Sequence, residues 1–328
     1  MLYLVPLEPL SERYTEQWMR WVPNALDSLG IDYSVIIGDK LTNKIETGDV
    51  LDAYGTHYWG NTQINQLISK IRSGTIKSGD TIWFADLWRP GLEALAYIRS
   101  ITKIDFKITG VLHAGTWDRN DFTVRYGMKK WARGFEWSIF QIADEIYVGS
   151  QYHKNMILAS RIGAIREHKI KVTGLFFDAN EVQMPTKKVV KNNFLVVFPH
   201  RIAPEKRPEL FEQLKTHFNF DSKYMFVSTR ELCKNKEEYY RLLASAKYMV
   251  SFEGQETFGY CVLEAMACGC IPLVYDGMSY RETVPDSLRW RFEDQLYNWI
   301  QSGYTPKIDY KKLLEKYNPV NVAKLMFT

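Results

Sequence analysis

Two stretches of this chain carry residue types that could do chemistry together. The first is SFEGQETFGYCVLEAMACGCIPLVYD, Ser251 to Asp276, where Glu256 and Glu264 flank Phe258 and Gly259. It reads as strand, glycine-containing loop, helix, glycine stop and strand. Amides at the start of a helix lack intrahelical partners and sit at the positive end of its dipole. The amides of Phe258 and Gly259 are therefore candidates to bind a phosphate group. Gly259 has no Cβ, so its backbone can approach a ligand closely. Glu264 stands among Val262, Leu263, Ala265, Met266 and Ala267, and a carboxylate buried there needs a partner. A ribose diol, which offers two hydroxyl donors, would serve; so would an arginine elsewhere, or the helix face is solvated.

The second stretch is FPHRIAPEKRPELFEQL, 198–214. A strand ends in a loop with two prolines, and Pro208 suits the first turn of the following helix. Arg201 and Lys206 then lie at the carboxyl end of the strand. Two fixed cations there can neutralise a departing diphosphate, arginine with two parallel hydrogen bonds. The plain alternative is a pair of exposed surface charges.

These residues have to be positioned by something. Apolar runs of strand length recur at 2–7, 33–37, 81–85, 107–113, 145–149 and 170–176, with helical periodicity at 15–29, 61–72, 91–101, 124–142 and 152–162. Continuous apolar strands between helices point to a parallel sheet covered on both faces. The polar, proline-containing stretch 179–193, ANEVQMPTKKVVKNN, breaks the rhythm and reads as a linker. Strands resume at 194–200, 224–228, 248–252 and 271–275, with helices at 209–218, 236–245 and 259–268. The expectation is α/β: a Rossmann-like domain over 1–178, a linker, a second Rossmann-like domain over 194–306, and a helix over 307–328 that packs back on the first domain. The two doubly wound sheets would face a cleft, with ligands at the carboxyl ends of the strands.

Taken together, Arg-x4-Lys after a strand, then Glu-x7-Glu around Phe-Gly, then Ala-x-Gly and a strand, resemble the family-four retaining glycosyltransferases of the GT-B fold. The resemblance spans roughly 105–285. It implies that Arg201 and Lys206 bind the diphosphate of a nucleoside-diphosphate sugar, UDP-linked in the first instance. It further implies that Glu264 holds the ribose and Glu256 touches the donor sugar, beside Phe258 and Gly259. VLHAGTWD, 111–118, is similar to the family segment whose histidine faces the donor sugar, which implicates His113; a satisfied core histidine is the alternative. Asp86, Trp88 and Arg89 in FADLWRPG, and Asp118, are acceptor-side candidates at other strand ends. The implied reaction is sugar transfer to a hydroxyl with retention by a hexosyl- or pentosyltransferase. No Asp-x-Asp occurs in the sequence, so no catalytic metal and no cofactor beyond the donor is expected.

The chain departs from that family at its start. Members carry a Gly-Gly pair after the first strand; here no glycine precedes Gly30, and the loop reads PLEPLSERYTEQW. That opening resembles phage-encoded glycosyltransferases that decorate hydroxymethylated bases in DNA. Between Val124 and Phe140, Arg125, Lys129, Lys130 and Arg133 stand among Tyr126, Trp131 and Trp137. On one helix 126, 130, 133 and 137 share a face, as do 125, 129 and 132. Such a surface suits a phosphate backbone, an anionic membrane or water. The expected acceptor is a hydroxymethylated base in duplex DNA gripped by Lys129, Lys130 and Arg133; a lipid or saccharide is the alternative. A nucleotide-sugar 2-epimerase or hydrolase, or a non-catalytic nucleotide-sugar-binding module, remain the other classes.

Composition adds limits. No apolar run approaches the ~20 residues of a membrane span, and the first residues lack the basic region of a signal peptide, so a cytoplasmic protein is expected. The spacing of Cys268 and Cys270 fits neither a zinc site nor a redox pair; with Cys233 and Cys261 they read as free thiols. A net charge of +4 does not by itself select a nucleic-acid partner.

Overall fold

Strands buried on both faces must pair in parallel and be covered by helices, and both halves of the chain meet that demand. The computed structural model describes residues 1–11, 13–41, 52–160, 162–219, 223–252 and 254–328. It divides into two compact units, Met1–Phe176 with Val322–Thr328, and Phe177–Asn321.

In unit 1 the order is β1 (Leu2–Val5), α1 (Tyr14–Leu29), β2 (Tyr33–Val35), α2 (Ala53–Arg72), β3 (Thr81–Phe84), α3 (Leu92–Thr102), β4 (Lys107–Val111), α4 (Phe122–Arg125), α5 (Lys129–Ile142), β5 (Glu145–Val148), α6 (Gln151–Ala159) and β6 (Ile170–Val172). The sheet runs β2-β1-β3-β4-β5-β6, parallel throughout. Val5, Phe84, Ile108 and Ile146 from the strands pack with Leu67, Leu95 and Ile139 from the helices. A Cβ on Gly110 would run into the Phe84 carbonyl oxygen, which calls for a glycine where β4 pairs with β3. The chain's last residues complete this unit: the Tyr147 hydroxyl donates to the Met326 carbonyl at 2.7 Å, and Phe327 meets Trp83 edge-on.

Unit 2 comprises α7 (Ala179–Gln183), β7 (Asn192–Phe198), α8 (Pro208–His217), β8 (Met225–Ser228), α9 (Thr229–Leu232), α10 (Lys236–Ser245), β9 (Ala246–Ser251), α11 (Tyr260–Ala267), β10 (Ile271–Tyr275), α12 (Tyr280–Thr283), β11 (Arg289–Trp290), α13 (Glu293–Gln301), α14 (Tyr310–Glu315) and the start of α15 (Pro319–Phe327). Its parallel sheet runs β11-β10-β9-β7-β8. In each unit the strand order reverses once, between β1 and β3 and between β7 and β9. Loops leaving two such strands diverge and open a crevice at their carboxyl ends.

The architecture is two doubly wound parallel-sheet domains. Locally the chain differs from its sequence pattern in several places. The helix expected over 124–142 is broken, because Gly127 takes a left-handed φ of 71° between α4 and α5. Helix α2 begins at Ala53 rather than 61, where the Asp52 side chain caps it by accepting from the Tyr54 amide. Within the 179–193 stretch, Asp178 caps α7 and β7 already starts at Asn192. Pro319 divides the final helical stretch by starting α15. Among the described residues no helix is long and apolar enough to cross a membrane.

Candidate functional site

The two loops that flank the β7/β9 reversal are tied to each other. After β7 the chain makes a 3-10 turn over Pro204–Lys206, passes through left-handed Arg207 and enters α8 at Pro208. After β9 it runs to Gly259, whose φ of 92° sets up the start of α11; Glu253 lies outside the described residues. The Gly254 amide donates to the Glu205 carbonyl at 2.9 Å. Lys206 Nζ donates to the Gln255 carbonyl at 3.0 Å and lies 3.5 Å from the Glu256 carboxylate. Arg201 forms an ion pair with Glu205, which is buried. The structure thus brings Arg201, Lys206, Glu256, Phe258 and Gly259 to one end of one sheet.

The amides at the start of α11 are not open, which corrects the sequence reading. Glu256 Oε1 accepts from the amides of Thr257 at 3.0 Å, Phe258 at 3.1 Å and Gly259 at 2.9 Å. The helix start leaves N–H groups unsatisfied and carries positive potential, so it attracts the nearest anion, here three residues back. The left-handed turn at Gly259 aims consecutive amides at one oxygen, the geometry of an anion nest. A Cβ at Gly259 would meet the Tyr280 ring at 3.0 Å. The Phe258 side chain is core, packed edge-on against Tyr260 and Tyr317. Three amides and an ammonium that hold a carboxylate could hold a phosphate oxygen in its place.

Glu264 is buried, as its apolar neighbours demand, and its partners are a lysine and two tyrosines rather than an arginine. Lys236 Nζ and the Tyr240 hydroxyl donate to Oε1 at 2.8 and 3.1 Å, and the Tyr239 hydroxyl donates to Oε2 at 3.1 Å. Lys236 is the first residue of α10, where the helix dipole disfavours a cation; the ion pair to Glu264 offsets this. Burial, and then the Glu264 charge, push the Tyr239 phenol well above its usual range, so it stays a donor. Glu264 therefore pins α10 to α11. Sequence reasoning misses Lys236, Tyr239 and Tyr240; the adjacent tyrosines in KNKEEYYRLL are the available signal.

In unit 1 the candidates lie after two strands, β3 and β4, and are mostly committed to the protein. His113 Nε2 contacts the Ala85 carbonyl at 2.8 Å and Nδ1 the Tyr14 hydroxyl at 3.2 Å. A neutral ring must then donate from Nε2 and accept at Nδ1. Asp86 accepts from the Trp88 amide; burial raises its carboxyl, opposed by His113, the Trp88 amide and Arg89. The Arg89 guanidinium donates to the Gly60 carbonyl at 2.6 Å, and burial lowers it to about 10 against the pull of Asp86. The Trp88 indole donates to Glu136, a fully buried carboxylate that also takes the Thr116 amide and hydroxyl. Asp118 is buried and accepts from the Asn120 amide within a turn. Arg89, Trp88 and Asp118 are thus holding loops in shape.

The basic stretch is different. Arg119, Arg125, Lys129, Lys130 and Arg133 are all exposed, while Asp121 and Glu136 in the same stretch are buried. The break at Gly127 removes Tyr126 from the α5 face on which it was expected. Ala132 turns into the core, and Arg133 donates to the Ser160 carbonyl. Lys129 and Lys130 remain exposed beside Trp131, which adjoins Trp88 and Phe135. Among the described residues no group of three or more His, Cys, Asp or Glu could hold a metal ion. The four cysteines are free thiols, and burial pushes Cys270 up to about 12.

No family model matches this chain. ORF330 of Acidianus filamentous virus 2, whose name places it provisionally among glycosyltransferases, is 27% identical over 77 residues, 24% of this chain and 23% of that protein. The match thus spans under a quarter of that relative's length. The structure is similar to sucrose-phosphate synthase from Thermosynechococcus elongatus, with a TM-score of 0.59 and 14% identity over 99% of this chain and 94% of that one. It is also similar to the catalytic domain of starch synthase IV from Arabidopsis thaliana bound to ADP and acarbose, with a TM-score of 0.57 and 11% identity over 96% and 94%. At these identities the likeness is one of fold, the GT-B pairing of two parallel-sheet α/β domains.

The environment of Glu264 yields a stability test. Glu264→Ala leaves an ammonium and two phenols without their acceptor, which for a buried pair costs about 3 kcal/mol. Glu264→Gln keeps an acceptor for the tyrosines and should lose less. Urea unfolding that gives wild-type stability for the alanine variant would show that this carboxylate does not tie α10 to α11.

Proposed function

We propose that this chain is a retaining glycosyltransferase that moves a hexose or pentose from a nucleoside-diphosphate sugar, UDP-linked in the first instance, to a hydroxyl acceptor. The observation that supports this best is the meeting of Arg201, Lys206, Glu256 and Gly259 across the β7/β9 reversal, with Glu264 on the helix that the anion nest leads into. Starch synthase IV, of the same fold, was captured with ADP, a ligand of the donor class proposed here.

In this reading the donor diphosphate takes over the α11 amides and Lys206, with Arg201 beside them, and Glu256 turns to the sugar hydroxyls. The bond from the anomeric carbon to the phosphate oxygen breaks on one face. The acceptor oxygen bonds to that carbon on the same face, and its proton passes to the departing diphosphate. Negative charge grows on the phosphate as the bond lengthens, so fixed N–H groups and cations lower the barrier there. They need no reorganisation at that moment, and no metal is required for the charge balance. His113 would orient the donor sugar if Tyr14 releases Nδ1.

The acceptor reading rests on a separate observation, the exposed cations of 119–133 with no exposed acid among residues 119–142. Duplex DNA carrying a hydroxymethylated base supplies both a phosphate backbone for Arg119, Arg125, Lys129 and Lys130 and a hydroxyl for transfer. Lipid and saccharide acceptors are the competing outcomes.

Arg201→Ala and Lys206→Ala should each lower turnover on the order of 10²-fold, and donor consumption should persist in EDTA. Near-normal turnover in both variants, or loss on chelation restored by magnesium, contradicts the donor site proposed. Donor hydrolysis as fast without acceptor as with it would indicate a hydrolase. For the acceptor, a gel-shift titration at ~50 mM salt should show duplex binding that weakens steeply with salt. The slope should fall by about 0.9 for each phosphate that Lys129→Ala or Lys130→Ala leaves unneutralised. Absence of duplex binding with or without the modified base removes DNA as the acceptor.

A further inference from the structure

A cavity of about 640 Å³ opens where β10 and β11 end, lined by Tyr275, Asp276, Arg281, Arg289, Arg291 and Phe292. None of these residues belongs to the donor site proposed above. Three guanidinium groups converge on one carboxylate. Arg289 and Arg291 reach Asp276 at 2.9 Å each, and Arg281 reaches it at 3.3 Å. Arg289 and Arg291 also bridge to Asp286 at 3.0 and 3.3 Å. The group therefore keeps an excess of positive charge, three cations against two carboxylates.

Stability alone is a poor account of this cluster. The Arg281 and Arg291 side chains are 64% and 60% exposed, and ion pairs so open to water contribute little while ordering long side chains costs entropy. Asp276, by contrast, is 10% exposed. It is suited to act as a template that fixes guanidinium forks beside an open cavity. Arginine forks match phosphate oxygens in pairs. Phe292 stands 72% exposed at the rim, with Tyr275 partly exposed nearby, an arrangement that offers aromatic surface to a sugar or base. The volume lies in the range of small-molecule sites.

We propose that this cavity is a second ligand site, one that binds a phosphorylated small molecule through Arg281, Arg289 and Arg291 and stacks its organic part on Phe292. Topology sets it apart from the anion nest: β10 lies beyond β9 and β11 beyond that, away from β7. The inference does not depend on the glycosyltransferase reading. The phosphate could come from a sugar phosphate or from a nucleotide.

Calorimetric titration of the full chain separates these sources with four probes: a hexose phosphate, UDP, inorganic phosphate and the unphosphorylated hexose. At least one organic phosphate should bind with its affinity lowered about tenfold or more by Arg281→Ala/Arg291→Ala and by Phe292→Ala, while Arg201→Ala/Lys206→Ala leaves that binding unchanged. A hexose phosphate behaving so identifies a sugar-phosphate site; UDP, which the donor site also takes in the reading above, identifies a nucleotide site here by a second binding event that persists in Arg201→Ala/Lys206→Ala and is lost in Arg281→Ala/Arg291→Ala. Arg291→Lys keeps the charge but not the fork and should also weaken binding. The proposal is overturned if no organic phosphate binds at about 10 mM, or if binding survives in the Arg281/Arg291 variant. It is equally overturned if neither the hexose phosphate nor UDP keeps any binding in the Arg201/Lys206 variant, or if inorganic phosphate binds as tightly as the organic probes. Failure of transfer with intact binding here would instead count against the proposed function alone.

Discussion

The loop that leads into α11 turns three successive amides, those of Thr257, Phe258 and Gly259, toward one point, and its surroundings are arranged around them. Glu256 supplies a carboxylate to all three, Lys206 stands against that carboxylate, and the Glu205 carbonyl receives the Gly254 amide. Amides gathered in this way call for an anion, and the chain provides its own in Glu256. In the function proposed above, the donor diphosphate takes the place of this carboxylate.

A second constraint is that the buried carboxylates near these strand ends have found partners. Glu205 takes Arg201, Glu264 takes Lys236 and two phenols, and Glu136 takes Trp88 and Thr116. His153, with its pKa lowered to about 3 by burial and then by His113, accepts the Trp117 indole proton at 3.1 Å. Isolated charges in such places would be expensive. These pairs set the loops rigidly, so chemistry on the two sheet edges would draw on side chains already oriented.

The strands were legible because burial on both faces leaves continuous apolar runs, as in LYLV at β1 and IPLVY at β10. Gly259 was legible because a helix start with a glycine in its first loop leaves few other uses for that residue. Long-range pairings were not. Nothing in KNKEEYYRLL says that Lys236 and both tyrosines turn to a carboxylate 24–28 residues away. The closure of the nest by Glu256 depends on the left-handed backbone at Gly259, which periodicity does not encode. Gly127 breaks a helix that its neighbours' pattern carries straight through, and the two-residue strand β11 is too short to produce a pattern of its own.

Calorimetry of UDP binding to the wild type, Glu256→Gln and Lys206→Ala tests the anion exchange at α11 most directly. If the diphosphate displaces the Glu256 carboxylate, removing that charge relieves repulsion, and Glu256→Gln binds UDP at least as tightly as the wild type. Lys206→Ala then loses about tenfold or more, the worth of a hydrogen bond to a charged group. Weaker binding to Glu256→Gln, together with unchanged binding to Lys206→Ala, would mean that the diphosphate is held elsewhere.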